Sequence, residues 1–450
     1  MAVSPLDGRY KTPMNALFED SAKLRSWLDV EVALARAHAK IGNIPSQAAD
    51  EIASAASKVE LSRVEAIESE IHHDLMAMVK ALSEQCKKYG GHVHYGATSY
   101  DIEDTATGIV LGNALALLEE HLIKTKSILG KLALEHKSTV CIARTHGQHA
   151  VPTTYGMKFA LWHCEVERHL ERIALAKKTI SVGKMSGAAG TMATFSGKGM
   201  QIQSLVMESL GLSPVKVSNQ VVQRDRHAQV IFTVALVAST LEKIAKEIRN
   251  LQRTEIMEVT EPFSSKQVGS STMPQKRNPH KCERICSLAR KVRGNVAVAL
   301  ENIALEHERD LTNSANERFI FSESFILLDY MLSEMNGVLS GLQFFPDNIR
   351  RNLELSGGLI LAERVMIALT KKGMGRQEAH ELLRTCSMEA FSKKRSLLSV
   401  LQANNEVINL ISKTELEGLF DYSSYVGQAP EIVENAIKSE DGLRGRQHKK

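Results

Sequence analysis

The chain has 450 residues, 43% hydrophobic and 24% charged, with 56 Lys plus Arg against 52 Asp plus Glu. Averages of this kind exclude a disordered or fibrous chain, and the length leaves room for two or three domains with a sizeable core. The near balance of charge excludes a nucleic-acid footprint, since the only basic run, Arg444 to Lys450, reads as a solvated end.

The chain opens on the polar stretch Ser4 to Lys11, not on an apolar signal segment, and its six cysteines are scattered. A reduced, cytoplasmic location is expected. No run approaches the roughly 18 consecutive apolar residues of a membrane span, so a soluble protein is expected. The ten prolines fall at or near turns, and long helical tracts lie between them.

The first tract runs from about 104 to 135, with Ile109, Leu115, Leu118, Leu122, Leu129 and Leu132 on one face, and the next from 152 to 178. A third, 222 to 258, repeats Val230, Val234, Val237, Leu241, Ile244, Ile248 and Leu251 at steps of three and four. A fourth begins near Pro279 and passes Val296. Strand signals are almost absent. Helices well beyond the usual ~11 to 12 residues predict an all-α bundle whose core is shared between chains.

Several local patterns lack the order that a ligand site needs. The glycines of 183 to 199 do not spell GxGxxG and follow no predicted strand, so they form no nucleotide cradle. Cys282 and Cys286 have no second thiol pair, and His72, His73, His92 and His94 fit no zinc pattern. No metal or cofactor is expected.

The segment Gly269-Ser270-Ser271-Thr272-Met273-Pro274-Gln275-Lys276-Arg277-Asn278-Pro279 sets polar, cationic and turn-forming residues between two helices. As a plain linker it would place Asn278 at the N-cap and Pro279 at the first helical position. That accounts for neither the serine pair nor Lys276.

The pattern GSSxMPxKxNP resembles the signature loop of the fumarase, aspartase and argininosuccinate lyase superfamily, whose members eliminate fumarate from substituted succinates. Further segments resemble its adenylosuccinate lyase family. These are Gly8-Arg9-Tyr10, His73-Asp74, His94 to Ser99, Arg144-Thr145-His146-Gly147-Gln148, Gln220 with Gln223 to His227, and Glu308-Arg309-Asp310 with Ser314 and Arg318. The resemblance implies an all-α, three-domain lyase: an N-terminal helical domain (1–98), a central long-helix bundle with the catalytic loop (99–346) and a C-terminal helical domain (347–450). It also implies a homotetramer around a twenty-helix core, with each active site drawn from three subunits.

The implied activity is cofactor-free β-elimination of fumarate from adenylosuccinate, giving AMP, and from the succinyl-carboxamide ribotide SAICAR, giving AICAR. A weakly acidic proton must leave a carbon beside a carboxylate, so a base and cationic stabilisation are both required. By resemblance Ser270 is the base, with Ser271 as the alternative. Lys276 and loop N–H groups would stabilise its alkoxide. His146 matches the general acid and Glu283 the carboxylate that orients it; His73 also lies in the site and positions substrate. Arg9, Tyr10, Arg309, Ser314 and Arg318 match positions that hold a phosphate, with His94 nearby. Thr98, Ser99, Thr145, Gln220, Ser271, Lys276 and Asn278 match positions that contact substrate, most of them around the succinyl carboxylates. The phosphate set separates this family from argininosuccinate lyase and carboxymuconate cycloisomerase, whose substrates carry no phosphate. Retention of Ser270, His146, Lys276 and Glu283 speaks against a silent structural relative such as a lens crystallin.

Overall fold

The computed structural model describes residues 4–447 except 265 and 267, with side chains described to residue 438. The basic end from Arg444 therefore lies outside the described side chains. Four helices open the chain: α1 (Asp20–Lys40), α2 (Ser46–Ala56), α3 (Leu61–Ile71) and α4 (Asp74–Glu84). Helix α5 (Ser99–Glu135) leads to an antiparallel hairpin, β1 (Val140–Thr145) and β2 (Gln148–Thr154), and then to α6 (Tyr155–Ile180). After β3 (Val182–Gly183) come α7 (Gly199–Leu210), β4 (Ser213–Pro214), α8 (Asp225–Leu251) and β5 (Val259–Thr260). Helices α9 (His280–Glu301) and α10 (Ser314–Ser340) follow, then β6 (Gln343–Phe344), α11 (Pro346–Glu354), α12 (Ala362–Lys371) and α13 (Arg376–Ser392). The chain closes with α14 (Leu397–Gln402), α15 (Asn405–Leu410), α16 (Lys413–Leu419) and α17 (Ala429–Gln447). The fold is all-α, as the periodicity predicts.

Two compact units share the five long helices by their opposite ends. The first comprises Met1–Ile123, Arg168–Glu242 and Ile285–Glu334. Its core packs α1, α2 and α4 with α7 around Leu28, Leu34, Ile52, Leu75, Met78 and Ile202. The second comprises Lys124–Glu167, Lys243–Arg284 and Met335–Lys450, and its C-terminal core gathers Val365, Leu369, Leu383, Leu397, Val407 and Leu416.

The apolar stripe of α8 is buried as its spacing requires: Val230, Val234, Val237, Leu241, Ile244 and Ile248 are almost wholly covered. Helices α5 and α8 are long and apolar enough in overall composition to cross a membrane, which a count of consecutive apolar residues does not register. Most of their leucines and valines are buried in protein core, though Leu134 of α5 is exposed. By contrast Leu161, Phe232, Leu300 and Phe319 stand exposed on long helices within a single chain.

Three expectations need correction. Helix α8 is shorter than 222–258, because Val222 to Arg224 are taken up by bonds to Asp104 and Glu317 before it begins. The tract 152–178 does not begin as helix: Pro152 and Thr154 belong to β2, and α6 starts at Tyr155. Asn278 does not cap α9. Its amide donates to the Gly269 carbonyl at 2.9 Å, while the first helical N–H groups of Lys281 and Cys282 donate to the buried carboxylate of Glu261 at 3.2 and 3.0 Å. A remote acid does the work of a local cap. Cys282 and Cys286 are buried helix residues, free of disulfides.

Candidate active site

The first unit carries the motif residues from both ends of the sequence. His73 precedes α4 as its N-cap, exposed, with Nδ1 accepting weakly from the Met76 N–H at 3.4 Å. Next to it, Asp74 takes Arg318 at 2.9 Å and Lys23 at 3.6 Å. Burial opposes the Asp74 charge, yet Lys23, the Leu75 N–H and Arg318 outweigh it and hold the carboxyl below its ordinary range.

His94 sits in left-handed backbone, φ 59°, with Nδ1 2.6 Å from the buried Glu31 and its N–H on the same carboxylate at 3.0 Å. Burial disfavours the imidazolium, but Glu31 overrides it and raises the pKa. Thr98 and Ser99 open α5. The Thr98 N–H donates to Asp101, a fully buried carboxylate that also receives Lys184 at 2.5 Å and the N–H groups of Ser186 and Gly187.

Gln220 is fixed on two sides. Its amide donates to the Ala188 carbonyl at 2.8 Å, and its oxygen accepts from Arg309 at 2.7 Å. Arg309 lies 3.8 Å over the Tyr100 ring, a cation–π contact, and Tyr100 bonds Ser314. Arg309 and Ser314 thus converge on one aromatic ring, with Gln220 tied to Arg309; sequence reasoning missed that ring, whose only signal was adjacency to Ser99. A cavity of about 240 Å³ opens beside it, lined by Lys23, Tyr100, Glu103, Ser314 and Arg318 among others. In it Glu103 is pushed up to about 7 by burial and by Asp74 and Asp104, against the pull of Lys23 and Arg309. Of the phosphate candidates, Tyr10 packs edge-on against Tyr330 at 5.1 Å between ring centroids, and Arg9 is exposed without an ion pair among the described residues.

The second unit carries the remainder. Thr145 and His146 stand exposed at the hairpin tip, where His146 and Gly147 have φ of 54° and 76°. Two successive left-handed residues between paired Thr145 and Gln148 make a type I′ turn, which glycine favours and histidine tolerates. Glu283, in the first turn of α9, stands 4.0 Å from Arg249; no hydrogen bond joins it to His146 within the chain.

The serine loop folds back on itself. A side chain at Gly269 would meet the Lys276 carbonyl at 2.1 Å, so only glycine allows the two strands of the loop to touch. Asn278 closes the same gap. Within the loop, Ser270 Oγ accepts the N–H groups of Thr272 and Met273 at 3.3 and 3.1 Å, whereas Ser271 is exposed and receives no such pair. Lys276 is exposed, its N–H bonded to the Met273 carbonyl. A hydroxyl already aimed at two backbone donors is suited to bearing negative charge.

Residues 8–294 match the family model described as Lyase, and residues 358–436 match that of the adenylosuccinate lyase C-terminus. The chain is 56% identical over 449 residues to the adenylosuccinate lyase of Pyrococcus abyssi, covering 99% of this chain and 100% of that relative. To the adenylosuccinate lyase of Methanocaldococcus jannaschii it is 50% identical over 444 residues, covering 98% and 96%. Among solved structures it resembles a fumarate lyase from a Mesorhizobium species, with TM-score 0.88, 33% identity and coverage of 94% and 97%. It also resembles a 3-carboxy-cis,cis-muconate lactonizing enzyme from Pseudomonas putida, with TM-score 0.89, 32% identity and coverage of 98% and 99%. With matches of this identity along the whole length, the chain is a lyase and belongs to the adenylosuccinate lyase family.

Proposed function

We propose that the chain releases fumarate from adenylosuccinate and from SAICAR by the following division of labour. Ser270 removes the proton beside a succinyl carboxylate, and the charge that spreads into that carboxylate is met by Lys276 and Asn278. His146, oriented by Glu283, protonates the leaving nitrogen, while His73 positions substrate. Thr98, Ser99 and Gln220 contact the succinyl end, and Thr145 and Ser271 also contact substrate. Arg9, Tyr10, Arg309, Ser314 and Arg318 take the phosphate, with His94 beside it, its imidazolium favoured by Glu31.

The observation that carries this reading is the pair of N–H donors on Ser270 Oγ. They lower the cost of the alkoxide at that serine and not at its neighbour.

Among the described residues no hydrogen bond joins Glu283 to His146, which supports a site completed between copies. The exposed Leu161, Phe232, Leu300 and Phe319 supply apolar surface for that assembly, a homotetramer of three-domain chains in the cytoplasm. Incubation of the purified protein with adenylosuccinate tests the reading, with AMP and fumarate followed by chromatography. Equimolar release of both is expected. Fumarate from argininosuccinate and none from adenylosuccinate, or turnover of 3-carboxymuconate alone, would overturn it.

A further inference from the structure

His146 is exposed and its imidazole has no hydrogen-bond partner among the described residues, so its position is set by the turn that bears it. That turn ends a hairpin of two short strands. One residue before Thr145 the Arg144 side chain is turned inward, with only 19% of it exposed. It is met there by Glu258, a carboxylate with no exposure, at 2.5 Å.

The same carboxylate accepts from the Tyr155 hydroxyl at 2.5 Å and the Asn352 amide at 2.9 Å. The Glu258 carbonyl also receives the Phe345 N–H at 3.0 Å. Burial and the nearby carboxylate push the Tyr155 phenol well above its usual range, so it remains a donor. The strands just below the turn are irregular, with register shifting between Ile142 and Arg144. Ladder bonds alone therefore grip the tip weakly.

We propose that Glu258 is a positioning residue for the elimination, fixing through Arg144 the turn that presents Thr145 and His146 to substrate. Arg144 is the strut and Glu258 its footing. Tyr155 at the head of α6 and Asn352 on α11 hold the footing from two sides. The inference rests on the reading of His146 as the general acid.

The test uses the full chain, with Glu258→Gln, Arg144→Lys and His146→Gln compared for turnover of adenylosuccinate and for calorimetric binding of AMP. Misplacing a catalytic group by about an ångström costs on the order of 10²-fold. Glu258→Gln is expected to lower kcat by about 10- to 100-fold with AMP affinity within roughly threefold of wild type. Arg144→Lys keeps the charge and should recover part of that loss. An active His146→Gln enzyme sinks both this inference and the assignment of the acid. If His146→Gln is inactive while Glu258→Gln and Arg144→Lys both keep kcat within roughly threefold of wild type, the inference alone is overturned. Equal loss of kcat and AMP binding likewise overturns it, because that marks a general structural role. Should Glu258→Gln fail to fold, Arg144→Lys decides by the same split.

Discussion

Replacing Ser270 by alanine separates proton abstraction from binding. The loop keeps its length, its Gly269 contact with Lys276 and the Asn278 latch, none of which involves the Ser270 hydroxyl. What disappears is one oxygen, the acceptor for the N–H groups of Thr272 and Met273. Hydrogen bonds to a charged group contribute about 1.5–3 kcal/mol each. At 3.3 and 3.1 Å these two are long, so the lower figure applies, about 3 kcal/mol for the pair. The neutral hydroxyl already keeps about 0.5–1.5 kcal/mol per bond, so at 1.36 kcal/mol per pKa unit the net preference for the alkoxide is on the order of one unit before Lys276 is counted. Ser270→Ala should therefore lose at least the 10²- to 10⁴-fold that a positioned base supplies, with affinity for adenylosuccinate little changed. Ser271, exposed and without the two donors, should tolerate alanine with most of its turnover intact. Calorimetric binding beside turnover, with circular dichroism to confirm folding, measures both. A Ser270→Ala enzyme keeping more than about a tenth of wild-type turnover refutes the reasoning, since no general base is worth so little. If Ser271→Ala is the dead variant, the base moves one residue along the loop.

Light scattering should give about four times the 49.7 kDa chain mass. Mixed and reassembled His146→Gln and Lys276→Ala chains, each nearly dead alone, should regain partial activity; none, despite proven subunit exchange, would count against sites built between copies. Glu103 bears on stability. Its folded pKa is raised from 4.5 to about 7, so its favourable contribution is present below the unfolded value and lost as pH rises through the folded one. At pH 8 the buried charge costs about 3 kcal/mol, and Glu103→Gln should raise Tm by a few degrees there and not at pH 5. An equal shift at both values would refute the assignment.

The long helices are legible in the sequence because a 3.6-residue stripe is a local property, and Val230 to Ile248 announce α8 whatever surrounds them. The serine loop and the His146 segment are legible as motifs, which place residues without saying what holds them. The hairpin is not legible. Its alternation is broken by a register shift, by Pro152 in β2 and above all by Arg144 facing inward, a residue that reads as polar surface until Glu258 is found beside it. The cap of α9 fails for the same reason, since Glu261 lies 20 and 21 residues upstream of the N–H groups it serves.

These misses share a cause. Glu31 holds His94, Asp101 holds Thr98 and the 186–187 backbone, Glu258 holds Arg144 below His146, and Glu261 holds the N-terminus of the helix that bears Glu283. In the linear sequence each is an ordinary acid, and in the fold each is almost wholly buried. Stripping a buried carboxylate of its partner costs about 3–5 kcal/mol, so such a group stabilises one arrangement of its neighbours over others. Of the proposed substrate contacts, His73, Thr145, His146 and Lys276 are exposed while His94, Gln220 and Arg309 are half-buried and bonded, and these anions hold the backbone and side chains around them. The serine loop differs: between Gly269 and Asn278 its hydrogen bonds are to itself and, through Gln252 on the Arg277 carbonyl, to the stem of α8. Among the described residues no buried carboxylate bonds this segment, so it has the least to break when it moves, which suits the proposed role of Ser270 as a base brought up by closure over substrate.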